Sequence, residues 1–198
     1  MPTIDFKMEH QEHSEWCWAA VAASVDRFFD PASTWCQCRI ASRMAKLAKL
    51  KVKNCGTCQK PKPIPRACNQ PWYLDKALKI VGKLKGKPKT KALSFPETEK
   101  KIQAGVPVCA RVVWGAGPDA HFVVISGCET ASSGNRWVDV EDSFAGSSTW
   151  LYDEFRVNYE YSQGHWSDTY PLGRSKVDAV GTAKSYARNL GGIPKRPG

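Results

Sequence analysis

A chain of 198 residues with 29 basic against 19 acidic side chains, net charge +10, 42% hydrophobic and 24% charged residues has the length and balance of one globular domain. That composition excludes wholesale disorder, collagen-like structure and a repeat solenoid. The longest apolar run, Trp16 to Val25, is ten residues, about half of the ~20 needed to cross a bilayer, so no membrane span is expected.

Residues 1–15 carry Asp5, Glu9, Glu12 and Glu15 against Lys7 alone, which is not the basic, then apolar, order of a secretory leader. Export would use another signal or a leader already removed. Trp18, Val21, Val25, Phe28 and Phe29 then recur at three- and four-residue steps, predicting a helix from about Glu15 to Phe29, capped by Ser14 and closed by Pro31. Ile40, Met44, Leu47 and Leu50 mark a second, amphipathic helix whose other face is lysine and arginine. Residues 51–70, rich in Cys, Pro and Lys, read as an irregular stapled loop. Pro71 opens a third helix running to Gly82, and Pro96 to Gly105 a fourth.

At Val106 the periodicity changes to alternation and short β-branched runs. Strands are expected at Val106 to Trp114, His121 to Gly127, Trp137 to Asp142 and Thr149 to Phe155. Helices first and strands after predict an α+β domain with an antiparallel sheet. The domain is expected to cover 1–170, with a helical lobe at about 10–105 and a β lobe at about 106–170. Residues 171–198, ending in Pro194-Lys195-Arg196-Pro197, read as a loose basic extension.

The charge is uneven. Between Pro31 and Leu74 no residue is acidic, while Arg39, Arg43, Lys46, Lys49, Lys51, Lys53, Lys60, Lys62 and Arg66 are basic. Lys83, Lys85, Lys87, Lys89 and Lys91 alternate with Leu84, Gly86, Pro88 and Thr90, as in an exposed loop or sheet edge. Such runs are ordinarily solvated faces. The alternatives are an acidic partner, such as an immunity or inhibitor protein, an anionic membrane surface, or nucleic acid. Nucleic acid is disfavoured, because no aromatic residues interleave with the lysines.

Five of the eight cysteines, Cys36, Cys38, Cys55, Cys58 and Cys68, cluster. Disulfides fit best, with a four-sulfur zinc site as the alternative; five is odd, so one stays free or reaches Cys109 or Cys128. Spacing does not give the pairing.

If the strands at 121–127 and 137–142 form a hairpin through Ala131 to Asn135, one register sets Ile125 opposite Val138, Val123 opposite Val140 and His121 opposite Asp142. Apolar then meets apolar, and imidazole meets carboxylate. Directly opposed residues have Cβ atoms roughly 5 Å apart, within reach of a hydrogen bond. Such an oriented histidine needs a nucleophile. Cys17 sits in the first turn of the first helix, where free backbone N–H groups favour a thiolate. Gln11, six residues earlier, can donate to an oxyanion together with the N–H of Cys17. Without these partners, a cysteine between two tryptophans in an alanine-rich helix is ordinarily buried and inert. Trp16, Trp18 and Trp114 are the candidates for lining a substrate groove, with core packing as the alternative.

Gln11 followed by Cys17-Trp18 and Ala19-Ala20-Val21-Ala22-Ala23, then His121-Phe122-Val123-Val124-Ile125 and Val140-Glu141-Asp142-Ser143, resembles the papain-like cysteine proteases. Cys36 to Ala41, Cys68 to Leu74, Gly105 to Val108 and Gly164 to Tyr170 are similar to the compact bacterial branch with plant-pathogen avirulence effectors and secreted, toxin-like proteases. The resemblance covers roughly 8–170. It implies a helical lobe holding Cys17 as nucleophile, packed on a β lobe holding His121 as general base and acid, with Asp142 as orienter and Gln11 as oxyanion donor. It also implies a protein or peptide substrate, no cofactor and no catalytic metal, and, with the cysteine-rich loop, a location outside the producing cell; a cytoplasmic form with reduced thiols is the alternative. The sequence departs from plant and lysosomal papains in having Ser14-Glu15-Trp16-Cys17-Trp18 in place of their Cys-Gly-Ser-Cys-Trp and Asp in place of Asn, and zymogen control by a papain-type propeptide is not expected. Deamidase, transglutaminase or acyltransferase chemistry uses the same triad. Readings of another class are a zinc-stapled basic nucleic-acid-binding module and a catalytically dead scaffold serving as inhibitor or adhesin.

Overall fold

A computed structural model of the chain describes residues 3–58, 63–115 and 119–174. Five α-helices lie among them: α1 (Cys17–Phe29), α2 (Gln37–Leu47), α3 (Leu74–Ile80), α4 (Phe95–Gln103) and α5 (Tyr152–Asn158). Five strands, β1 (Val108–Val113), β2 (Ala120–Thr130), β3 (Arg136–Asp142), β4 (Gly146–Leu151) and β5 (His165–Tyr170), form one antiparallel sheet in the order β4-β3-β2-β1-β5. The α+β architecture, helical first half against C-terminal sheet, is the expected one. Most of the basic extension, from residue 175 on, lies outside the described residues. Among the described residues no helix is long and apolar enough to cross a membrane.

Small and apolar residues from Cys17 to Val25 let α1 be buried all round except at Arg27 and Phe28. It packs against α2, α3 and strand β2. Pro31 ends it as expected, because the residue before a proline is pushed out of the helical region, and Asp30 is extended with φ −140°. The start differs from expectation. Trp16, not Ser14, occupies the cap position, and no side chain caps the helix. Ser14 instead accepts a hydrogen bond from Asn69 Nδ2 at 3.0 Å. Helix α4 begins at Phe95 because Ser94 and Glu97 form a reciprocal capping box, with Pro96 in the first turn.

Further differences follow from local chemistry. The fourth predicted strand stops at Leu151, and Tyr152 to Asn158 coils into α5, with Asp153 and Glu154 in its first turn. His165–Tyr170, which alternation alone does not single out, pairs beside β1. Lys83 is not part of the exposed lysine run. Its ammonium is buried 3.3 Å from Asp26 on α1, and Asp26 also accepts from the Ser33 hydroxyl. Lys85, Lys87, Lys89 and Lys91 are exposed as expected, on a segment that bridges Thr169 and Leu172.

Cys36 is bonded to Cys58 and Cys55 to Cys68. Cys38 is the odd member of the cluster, a buried thiol donating to Glu12 Oε2 at 3.1 Å. The zinc-stapled nucleic-acid reading is thereby corrected: four of its five sulfurs are spent on disulfides, and among the described residues no cluster of metal-ligating side chains exists.

Removing one partner of a buried ion pair leaves the other poorly compensated, so Asp26→Asn is expected to cost about 3 kcal/mol of unfolding free energy in a denaturant titration. A loss below about 0.5 kcal/mol would show that the Lys83 contact contributes little.

Candidate active site

The disulfide-stapled loop fixes the chain that enters α1. Trp16 Nε1 donates to Cys68 O at 2.9 Å and Trp18 Nε1 to Gln70 O at 3.1 Å, while the Glu15 N–H donates to Asn69 Oδ1 at 3.1 Å. The two indoles flanking Cys17 thus pin the first turn to a cross-linked loop. Cys17 is the first residue of α1, so its N–H has no acceptor within the helix, and its side chain sits almost buried at 8% exposure.

The sheet supplies the imidazole and carboxylate, in a register that differs from the expected one. Asp142 lies opposite Val123 and Val140 opposite Ile125; His121 lies opposite Val112 on β1. A bulge between Ile125 and Gly127 takes up one residue, so that Cys128 then faces Val138. At Gly127 a Cβ would lie 2.1 Å from Asp139 Oδ2, so any side chain there would have to displace the Asp139 carboxylate. Because the displacement at Asp142 is two residues, the face is preserved. His121 and Asp142 are diagonal rather than direct neighbours, yet His121 Nε2 meets Asp142 Oδ1 at 2.8 Å.

Asp142 is held by four donors. Oδ1 accepts from His121 and from the N–H groups of Phe144 at 2.7 Å and Ala145 at 3.1 Å; Oδ2 accepts from Tyr159 Oη at 2.8 Å. Burial works against ionisation of this carboxyl, but the hydrogen bond and charge of His121 and the donors from Phe144 and Tyr159 outweigh it and hold its pKa below the usual carboxylate value. Burial likewise opposes a charged ring at His121. Hydrogen bonds to Asp142 and to Cys17, with their negative charges, win and push its pKa up to about 10. The imidazole is thus bonded to the carboxylate and feels the charge of the sulfur. With Nε2 taken by Asp142, Nδ1 is the nitrogen left for Cys17.

The other three free thiols differ. Burial, with the neighbouring Glu12, pushes Cys38 up to about 12; burial raises Cys109; burial and acidic neighbours push Cys128 up to about 11. Each is an inert thiol at neutral pH.

Gln11 is buried beside Asp142. Its Oε1 accepts from Ser143 Oγ at 3.0 Å, its N–H donates to Ser143 O at 2.9 Å, and its Nε2 donates to Ser14 O at 2.7 Å and His13 O at 3.0 Å. Two depressions flank the Cys17–His121 pair. One, of about 460 Å³, is lined by His121, Trp114, Phe144 and Tyr159; the other, of about 540 Å³, by Cys17, Trp18, Trp72, Phe122 and Tyr170. Trp114 is fixed by a 2.8 Å bond to Ser162 Oγ and by Gly164, where a Cβ would stand 2.9 Å from the indole. Trp16 is corrected: with no exposed surface and no place in either depression, it is a core residue. Trp18 is as deeply buried and touches the second depression only from below. Tyr159 escaped the sequence reading, because a tyrosine after a short helix carries no motif.

The sequence profile of the Peptidase_C39 like family matches residues 3–172. The chain belongs to the peptidase C39-like family. As a member it is a cysteine peptidase, with protein or peptide substrates. No curated protein matches the chain. Among solved structures, this C39-like chain is similar to the bromelain protease from Ananas comosus in complex with the E64 inhibitor. They are 14% identical over 84% of this chain and 93% of that one, with a TM-score of 0.46, an overlap too loose to bear on groove or chemistry.

Since His121 is raised from about 6.5 when unfolded, its contribution to stability is fully present below that value and lost as pH climbs through about 10. Asp142 contributes in the opposite sense, above the ordinary carboxylate value and lost on acidification. The melting-temperature difference between the wild type and His121→Gln is expected to shrink between about pH 6.5 and pH 10; a difference constant across that range would contradict the pairing.

Proposed function

We propose that this C39-like peptidase is an endopeptidase that cuts peptide bonds through a Cys17 acyl-enzyme. The observation that carries the reading is His121, hydrogen-bonded to Asp142 at 2.8 Å and electrostatically coupled to Cys17 at the start of α1. Cys17, its proton already resting on His121, attacks the scissile carbonyl carbon as the thiolate. The C=O electron pair moves onto oxygen, where the Cys17 N–H at the helix start receives it. Gln11 is the second oxyanion donor. Because both of its amide hydrogens rest on the Ser14 and His13 carbonyls, it serves once one of them turns toward the substrate.

Collapse of the tetrahedral species breaks the C–N bond, and the proton on His121 goes to the departing amine. A water molecule, losing its proton to His121, then attacks the thioester and releases the carboxylic acid and free Cys17. Asp142 keeps the ring oriented and its positive charge compensated throughout. Protonation of the amine by His121 puts the leaving segment in the depression lined by His121, Trp114 and Phe144. The acyl segment then occupies the aromatic depression lined by Cys17, Trp72, Phe122 and Tyr170. Trp114 and Trp18 are the tryptophans that remain as groove residues.

Family membership favours peptide hydrolysis over deamidase, transglutaminase or acyltransferase chemistry. The two disulfides support an oxidising destination, and with it a secreted role as a bacterial effector or toxin. The acid-free stretch from Pro31 to Leu74 supports an acidic partner such as an inhibitor or immunity protein.

Iodoacetamide near pH 6 is expected to alkylate Cys17 ahead of Cys38, Cys109 and Cys128, and His121→Ala to slow this at least about tenfold. Cys17→Ala is expected to abolish cleavage of an unstructured protein substrate. Peptide mapping that found Cys17 protected while another cysteine reacts would overturn the assignment.

A further inference from the structure

The His121–Asp142 bond is made on a diagonal of the sheet. Diagonal residues stand roughly 7–8 Å apart, against about 5 Å for direct partners, so the carboxylate has to be held toward the ring rather than resting there by register. Two backbone N–H groups, of Phe144 and Ala145, grip Oδ1, the same oxygen that His121 uses. They cannot by themselves stop the carboxyl from swinging its second oxygen away. That oxygen, Oδ2, meets the hydroxyl of Tyr159 at 2.8 Å.

Tyr159 is built for one orientation. It follows the last residue of α5 with no exposed surface, and its ring packs 5.2 Å from Trp150 and 5.4 Å from Phe155. Its N–H donates to Gly164 O at 2.8 Å, closing the loop that follows. Glu160, Tyr161 and Gln163 in that loop all have positive φ, which non-glycine residues adopt only when their surroundings impose it. Gly164, which receives the bond, has no room for a Cβ between Trp114 and the Tyr159 carbonyl.

We infer that Tyr159 is a positioning residue of this active site: its hydroxyl holds Asp142 Oδ2, so that Oδ1 stays on His121 through the proton transfers. The inference rests on the Cys17–His121–Asp142 reading above. Burial and the charge of Asp142 keep the Tyr159 hydroxyl protonated, so it donates over the whole working range. The charged groups acting on the pair are His121 on β2, with Cys17 behind it, and Glu160 next to Tyr159. Glu141, the neighbour of Asp142 in sequence, is engaged by Ser126 and Ser147.

The consequence is a pH signature. A donor to Oδ2 favours the ionised carboxylate, so its loss makes Asp142 easier to protonate, and protonated Asp142 no longer supports the His121 cation. Tyr159→Phe keeps the ring and removes only the hydroxyl. Replacing Tyr159 by 3-fluorotyrosine keeps the hydroxyl and makes it a stronger donor.

The test is the rate of Cys17 alkylation by iodoacetamide, read by mass spectrometry in the full chain between about pH 3 and pH 9, with thermal melting as the check on folding. The acid limb is expected to move up by about half a pH unit or more in Tyr159→Phe and down in the 3-fluorotyrosine protein, with melting temperatures close to the wild type. An acid limb unmoved in both, or a rate lowered equally at every pH, overturns the positioning role. If Tyr159→Phe does not fold, the direction of the 3-fluorotyrosine shift decides alone. Should His121→Ala leave the alkylation rate unchanged, the catalytic reading itself fails and this inference with it; a slowed His121→Ala with unmoved Tyr159 variants sinks the inference alone.

Discussion

Helix α1 is buried along nearly its whole length between β2, α2 and α3, and this packing brings a sulfur from residue 17 against an imidazole from residue 121. An exposed helix would place its first residue loosely. Here the small residues Ala19, Ala20, Ala22 and Ala23 admit close neighbours on every side, so the start of the helix has little freedom to shift. Trp16 and Trp18 add rigidity from the flanks, each using its indole N–H on the loop that Cys55–Cys68 cross-links. The Cys55–Cys68 disulfide thus sits one hydrogen bond away from Trp16, the residue before Cys17.

Electrostatics completes what packing begins. A buried carboxylate and a buried imidazolium are each unfavourable alone, and together they are tolerated because every charged face is answered. Asp142 receives four donors, and His121 lies between two groups that favour its proton. The paired charges favour the protonated ring.

Much of this was legible in the sequence, and the parts that were not have identifiable causes. Three- and four-residue periodicity located α1 and the alternating valines located β2 and β3, because burial imposes both patterns directly. Cys17, His121 and Asp142 were singled out by their residue types and the faces their elements impose, and the structure brings His121 and Asp142 together. The register was not, because a bulge at Gly127 and the loop geometry set it, and neither leaves a periodic signature in the sequence. Trp16 and Lys83 misled for a common reason: each side chain has two stable fates, and the partner that decides, Cys68 O or Asp26, is far away in sequence. Tyr159 had no signal at all. Its meaning comes only from the 2.8 Å contact with a carboxylate on another element.

The central claim is that His121 carries a proton shared between Asp142 and the sulfur of Cys17. Nitrogen-15 NMR of the histidine rings, followed through a pH titration with Cys17 free and then blocked as its methyl disulfide, measures this directly. The account predicts that His121 stays protonated across neutral pH and titrates near about 10, and that blocking the sulfur moves the titration down. A ring that titrates near the ordinary histidine value of about 6.5 and ignores the state of Cys17 would contradict it.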